Sequence, residues 1–418
     1  MTSSPRKLRL GVAVSLSLAV FAILIAGNLR MSHAAAPTPT YGQILVAGGY
    51  GASSDLSSVE LYDPGSDSFA KTTPAMNAAR QYHTAALITS GANAGKVLLA
   101  GGLSDSTLAS TELYDPAANA FAVGPNMNAA RDHHTATAIS SGPNAGKILV
   151  AGGEDRNYGM LSLASTELYD PVTNKFAVGP TMNDARYAHT ATVIVAGPNA
   201  GKILLAGGFN TAYGPLTSTE LYDPAANKFA VGPKMSALRF GHTATVIALG
   251  PDPGKILLAG GFDGNNSLSS TEIYDPGANK FAIGPTLNAA RRFHTATVIA
   301  WGPNAGKILL AGGLGDKGPL ASTEIYDPEA GKIGVGPDMA FPRDHHTATP
   351  ILSGVNVSKI LMAGGDDVTN DTKLASTELY DPAANKFTVG RSMNVARAFD
   401  TAIQLPASAP AAKVAIAP

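Results

Sequence analysis

Seven Gly-Gly pairs punctuate this 418-residue chain: Gly48-Gly49, Gly101-Gly102, Gly152-Gly153, Gly207-Gly208, Gly260-Gly261, Gly312-Gly313 and Gly364-Gly365, spaced 51 to 55 residues apart. Each follows a short apolar run and precedes a [VT]-E-[LI]-Y-D-P string. An Arg comes next, opening an R-x-x-H segment six times and R-x-x-D once. Self-similarity with a period near 50 constrains the fold more tightly than length does, because each unit buries its faces only against its neighbours. One repeat-built domain is therefore expected where the length alone suggests two or more.

Each copy holds four short strand candidates. In the fifth copy His242–Ile247 reads as strand a, Lys255–Ala259 as b, Ser270–Tyr274 as c and Lys280–Ile283 as d. Strand b is apolar throughout, as a strand buried on both faces must be. Strand a carries Thr and Ala, small enough for the narrow inner end of a radial array. At the c–d turn, Asp and Pro set a type I turn. Four residues after that Asp stands Asp67, Asn119, Asn174, Asn227, Asn279, Gly331 or Asn385, all residue types that tolerate the left-handed conformation.

Double glycine after an apolar strand, then Glu-x-Tyr-Asp-Pro, then Met and Arg, resembles the kelch repeat over roughly Tyr41 to Pro406. One departure is consistent. Where kelch repeats usually carry Trp on the outer strand, this chain has Phe69, Phe121, Phe176, Phe229, Phe281, Ile333 and Phe387. The resemblance implies an all-β, seven-bladed propeller with four antiparallel strands per blade. The first copy begins at strand b (Gln43–Ala47) and the last ends in an extra strand a (Arg397–Leu405). Seven blades result only if these two pair, which also removes exposed sheet edges.

The flanks are different material. Arg6, Lys7 and Arg9 precede an apolar run from Leu10 to about Ala26 and then Ser32-His33-Ala34-Ala35-Ala36. Residues 1–36 thus read as an export signal, with an uncleaved anchor the alternative. Pro37–Thr40 reads as a spacer, 41–406 as the propeller and 407–418 as a tail. An exported protein, periplasmic or extracellular, is expected, touching a membrane only if the leader is kept. Net charge of −1 offers no basic surface for nucleic acid. The absence of Cys excludes disulfides, thiolate metal sites and the cross-linked Cys of the copper–radical site in galactose oxidase, another kelch-type propeller.

Candidate chemistry is sparse, and no cofactor, metal or catalytic set is expected. Gly142–Lys147 lacks the spacing and following Ser or Thr of a phosphate loop and reads as an a–b turn. The R-x-x-H histidines recur at one position in six of the seven copies, as a repeated structural contact would, with the strand-c Glu as the expected partner. Arg80, Arg131, Arg186, Arg239, Arg291, Arg343 and Arg397 each open an innermost strand. They fit either buried pairing with the strand-c Glu or, by the resemblance to kelch adaptors of acidic peptides, contact with an anionic ligand. The b–c loops vary most in length, from 9 to 13 residues between the second Gly and the Glu. Variable loops on a rigid scaffold are where binding usually resides. Glu154, Asp155 and Arg156 and, in the last copy, Asp366 and Asp367 therefore join the seven Arg as ligand-binding candidates. The expected role is non-catalytic binding of an unknown protein or an anionic or glycan ligand. The alternative is a carbohydrate-active enzyme such as a sialic-acid mutarotase-like sugar isomerase.

Overall fold

The computed structural model describes residues 41–70, 73–157 and 159–406; the proposed leader, spacer and C-terminal tail lie outside them. Those residues form seven four-stranded antiparallel sheets and no helix. In blade 5 the order from the axis outward is Thr243–Val246, Ile256–Ala259, Thr271–Asp275 and Lys280–Ile283, so the expected strands are met to within a residue. Four blades also carry a two-stranded hairpin in the b–c loop, including Glu154–Asp155 with Leu161–Ser162 and Asp366–Asp367 with Thr372–Lys373.

Blade 1 joins the two ends of the chain. Its innermost strand is Thr401–Pro406, antiparallel to Tyr41–Ala47, with Leu45 opposite Ile403 and Ala47 opposite Thr401. The proposed closure is therefore present. It gives blade 1 its fourth strand, so that no second strand of a blade is left as an open edge.

Cores lie between blades rather than within them. Leu98, Ala100 and Leu113 of blade 2 pack on Ile148, Val150 and Tyr169 of blade 3, and the arrangement repeats around the ring. The second strand is buried along its length in blades 2 to 7 and over Ile44–Ala47 in blade 1, as its continuous apolar sequence requires. At the rim the substituted Phe packs on the strand-c Tyr of its own blade, with ring centroids 5.0–5.3 Å apart in six blades.

Two turn types lock this face of the disc. The residue four past the turn Asp has positive φ in all seven blades, as its residue type predicts. Its side chain, where Asn, accepts the strand-c Tyr hydroxyl, as in Tyr222 Oη to Asn227 Oδ1 at 2.9 Å. The phosphate-loop look-alike has a different task. Asn144 in Gly142–Lys147 donates Nδ2 to Tyr222 Oη of the next blade at 3.2 Å, stitching neighbours together.

Candidate functional site

The seven arginines are internal. Arg186 donates Nη1 to the carbonyls of Gly207 (2.6 Å) and Ser218 (3.1 Å), and Nη2 to Ser218 Oγ (3.2 Å) and Glu220 Oε1 (3.1 Å). Glu220 also accepts the backbone N–H groups of Asn183 and Asp184, fixing the incoming linker. The same pattern holds for Arg80, Arg131, Arg239, Arg291, Arg343 and Arg397, all wholly buried. Burial lowers the pKa of Arg186, with the Glu220 carboxylate opposing it. The expectation that part of this ring contacts an anionic ligand is thus corrected: the terminal nitrogens are spent on the strand-c Glu and on backbone. The double glycine belongs to the same device. A Cβ at Gly152, whose φ is 62°, would strike the Arg186 carbonyl oxygen, while Gly153 N donates to that oxygen at 2.9 Å.

The repeated histidines also build the scaffold, with a partner other than the expected Glu. His83, His134, His189, His242, His294 and His346 place Nε2 2.9–3.1 Å from a Thr Oγ1 on the preceding blade's innermost strand. Thr is nearer because the imidazole points across the blade boundary, while Glu faces its own Arg. Burial pushes these imidazoles below their usual range, His83 to about 3, so they stand neutral. Asp400 takes the seventh position. No other described residue hydrogen-bonds either carboxylate oxygen, and burial raises its pKa to about 7.

The residue before each of these positions closes a ring about the axis. Tyr82, His133, Ala188, Gly241, Phe293, His345 and Phe399 all have φ between 48° and 62°. Each N–H donates to the carbonyl of the previous member, Tyr82 to Phe399 at 3.2 Å completing the circle. Six non-glycine residues held in the left-handed region mark this mouth as an over-determined, strained segment. His133 stacks on Tyr82 (4.0 Å), His345 on Phe293 (4.2 Å), and Tyr82 lies 4.7 Å from Phe399.

Seven-fold equivalence breaks here. The next positions outward pair as Gln81 with Leu103, Tyr187 with Phe209, Phe240 with Phe262, Arg292 with Leu314 and Ala398 with Tyr50, but in blades 3 and 7 as Asp132 with Glu154 and Asp344 with Asp366. Asp132 Oδ1 meets His133 Nδ1, and Asp344 Oδ1 meets His345 Nδ1. Arg156 forms ion pairs from Nε to Asp132 Oδ2 (3.1 Å) and from Nη2 to Glu154 Oε2 (3.0 Å). Lys373 Nζ donates to Asp366 Oδ1 at 2.8 Å. Burial raises the carboxyl pKa of Glu154 and of Asp366, with Arg156 and Lys373 respectively opposing. Donor atoms of Asp132, His133 and Glu154 lie within 4.8 Å of one another, a set able to hold a metal, though Arg156 already sits on two of the carboxylates.

The candidates therefore divide. Glu154, Arg156 and Asp366 gather at the mouth. Asp155 and Asp367 shape their hairpins, accepting Asn157 N (3.0 Å) and Thr369 N (3.2 Å) and, for Asp367 Oδ2, Asn370 Nδ2 (2.7 Å). Sequence reasoning missed Asp132, His133, Asp344 and His345. A signal existed, since Arg-Asp-His-His occurs in two of the seven copies, the same two that place an acid after the double glycine.

Seven radial blades, a double-glycine–arginine–glutamate lock in each and a shared composite blade define a closed propeller of kelch-type repeats. The Kelch motif model matches residues 31–75, 140–183 and 248–288. Human Kelch-like protein 23 is 28% identical over 68% of this chain and 46% of its own length. Kelch repeat-containing protein kel-10 of Caenorhabditis elegans is 31% identical over 31% of this chain and 21% of its own. This chain belongs to the kelch-repeat family, and it spans less than half the length of these curated relatives. Two solved structures share the fold. One, titled "Structure of YjhT", has a TM-score of 0.55 and 14% identity, covering 75% of this chain and 98% of that one. A fungal alcohol oxidase of the AA5 family in complex with copper has a TM-score of 0.60 and 18% identity, covering 88% and 73%.

Proposed function

We propose that this propeller is an exported, non-catalytic binding module whose b–c and d–a loop face engages a protein partner. One observation carries the reading: departures from seven-fold equivalence collect on that face. The a–b and c–d turns repeat nearly unchanged and are spent on stitching blades together. The loop face instead carries the polar clusters of blades 3 and 7, set among aromatic rings, and exposed apolar tips such as Leu161 and Tyr213. Kelch-like relatives support a protein-interaction role at a coarse level. The leader pattern of Arg6–Ala36 supports export. The test is a panel of envelope proteins, glycans and acidic sugars presented to the full chain and to two variants. Leu161→Ser with Tyr213→Ser should weaken the specific binder, and Val172→Ser on the opposite face should not. The reverse pattern would refute the assignment.

A second reading, a sugar isomerase of the mutarotase kind, draws on the two Asp–His pairs. An Asp-oriented imidazole suits proton transfer, and His133 Nε2 has no hydrogen-bond partner among the described residues. Anomer exchange of an acidic reducing sugar, followed by NMR with wild type and His133→Ala, discriminates the two. Catalysis lost in the variant would favour the enzyme.

A further inference from the structure

Blades 3 and 7 carry the same acidic pair, but only one is matched by a cation at the inner Asp. In blade 3, Asp132 Oδ2 has two partners, Arg156 Nε at 3.1 Å and Thr107 Oγ1 at 3.4 Å. Counted from the double glycine, the place of Arg156 is taken in blade 7 by Val368. Counted back from the leucines that bond the double glycines, the place of Thr107 is taken in blade 6 by Pro319. Neither replacement has a side-chain hydrogen-bond donor. Asp344, 0% exposed, still places Oδ1 against His345, while its Oδ2 accepts no hydrogen bond among the described residues. Nearby cations have other direct partners, although Arg292 is close enough to interact electrostatically with Asp344. Lys373 binds Asp366, and Arg292 lies 4.1 Å over the Phe262 ring and donates to Ser267 Oγ.

Burying a carboxylate oxygen without a partner is costly, and a cation arriving from outside the chain would relieve that cost. Charge points the same way. The seven b–c loops hold nine acidic and three basic residues, whereas on the opposite face the a–b lysines are matched by c–d aspartates, as Lys202 is by Asp223 at 3.3 Å. The mouth is therefore the acidic pole of a chain whose net charge is only −1. Phe293, His345 and Phe399 supply ring faces beside Asp344, and Lys373 Nζ already lies 5.9 Å from the centre of Phe399.

We propose that blade 7 is a receptor for an arginine side chain of a basic partner segment, which enters between Asp344 and Asp366 as Arg156 enters between Asp132 and Glu154. This rests on the loop face being the binding face and names the chemistry it takes. The planar guanidinium suits two carboxylates on adjacent strands, as Arg156 demonstrates within the same chain. Entry requires the Asp366–Lys373 hairpin, whose tip is exposed at Val368–Asn370, to move aside.

Calorimetry of the full chain with N-acetyl-arginine amide and with tri-arginine tests this. One site per chain is expected, with the citrulline analogue at least about tenfold weaker because it lacks the charge. Val368→Arg, at a position 45% exposed, supplies the guanidinium in cis and should abolish the site with the melting temperature unchanged or raised. Arg156→Ala should open a second site. Unaltered binding to Val368→Arg overturns the proposal, as does failure of both wild type and Arg156→Ala to bind arginine. Zn²⁺ binding where arginine does not would assign the pocket to a metal and likewise overturn it. A partner held on the loop face with equal affinity by Val368→Arg would sink this proposal and leave the binding face standing.

Discussion

Arg397 and Glu60 lie 337 residues apart in sequence, and their side chains meet at 3.1 Å inside blade 1. The same Arg donates Nη1 to the carbonyls of Gly48 and Ser58, while Glu60 accepts the N–H groups of Asn394 and Val395. The interaction that organises every other blade locally here fastens the end of the propeller to its beginning. Glu60→Ala leaves a buried guanidinium uncompensated and should cost about 3–5 kcal/mol. Glu329→Ala, on an exposed turn, should stay within about 0.5 kcal/mol. Chemical denaturation of the two variants checks this.

Truncation before Arg397 should be more severe. It removes the innermost strand of blade 1, exposing Leu45 and the backbone groups of Tyr41–Ala47. A cooperative melt at the wild-type temperature would disprove the closure.

Completing the inner ring should stabilise the protein. Asp400→His supplies the seventh imidazole, with Thr347 in the place of the Thr partner, and removes a buried carboxylate that no other described residue hydrogen-bonds. A gain of about 1 kcal/mol at pH 8 is expected by denaturant midpoint.

Stability should depend on pH with opposing signs. The six buried imidazoles have folded pKa values depressed below 6.5, so their contribution is complete above 6.5. It is lost as pH falls, toward about 3 for His83. Each such group removes up to about 1.4 kcal/mol per pH unit in that window. Asp400, raised to about 7, acts in reverse: its contribution is complete near pH 4 and declines as pH rises to 7. Six groups outweigh one, so the midpoint should fall steeply between pH 6.5 and 4. His189→Gln should flatten the slope.

The leader is testable on its own. Intact mass of protein from the native envelope should correspond to cleavage near Ala34–Ala36, whereas a full-length membrane species would establish the anchor.

What the sequence made legible was whatever repeats. The Gly207-Gly208, Glu220 and Arg239 types recur, so blade number, strand order and the Thr401–Pro406 closure follow from counting. Positive φ at Asn227 follows from residue type alone. Contacts that cross blades were not legible, because they join residues about 50 or 80 apart with no pattern in between. His134 to Thr84 and Asn144 to Tyr222 are of that kind. The Arg ring resisted for a different reason. The same residue fits a buried pair or a ligand contact, and burial decides. Asp132 and Asp344 stayed hidden inside the R-x-x-H pattern, where a variable position receives little weight.

Binding is proposed to occupy the b–c and d–a loop face. A photo-crosslinking residue placed at Tyr213 on that face, or at Val172 on the opposite face, tests it most directly, since both side chains are strongly exposed, at 82% and 72%. The specific binder found in the panel should be captured from position 213 and not from 172. Capture from 172 alone would contradict it.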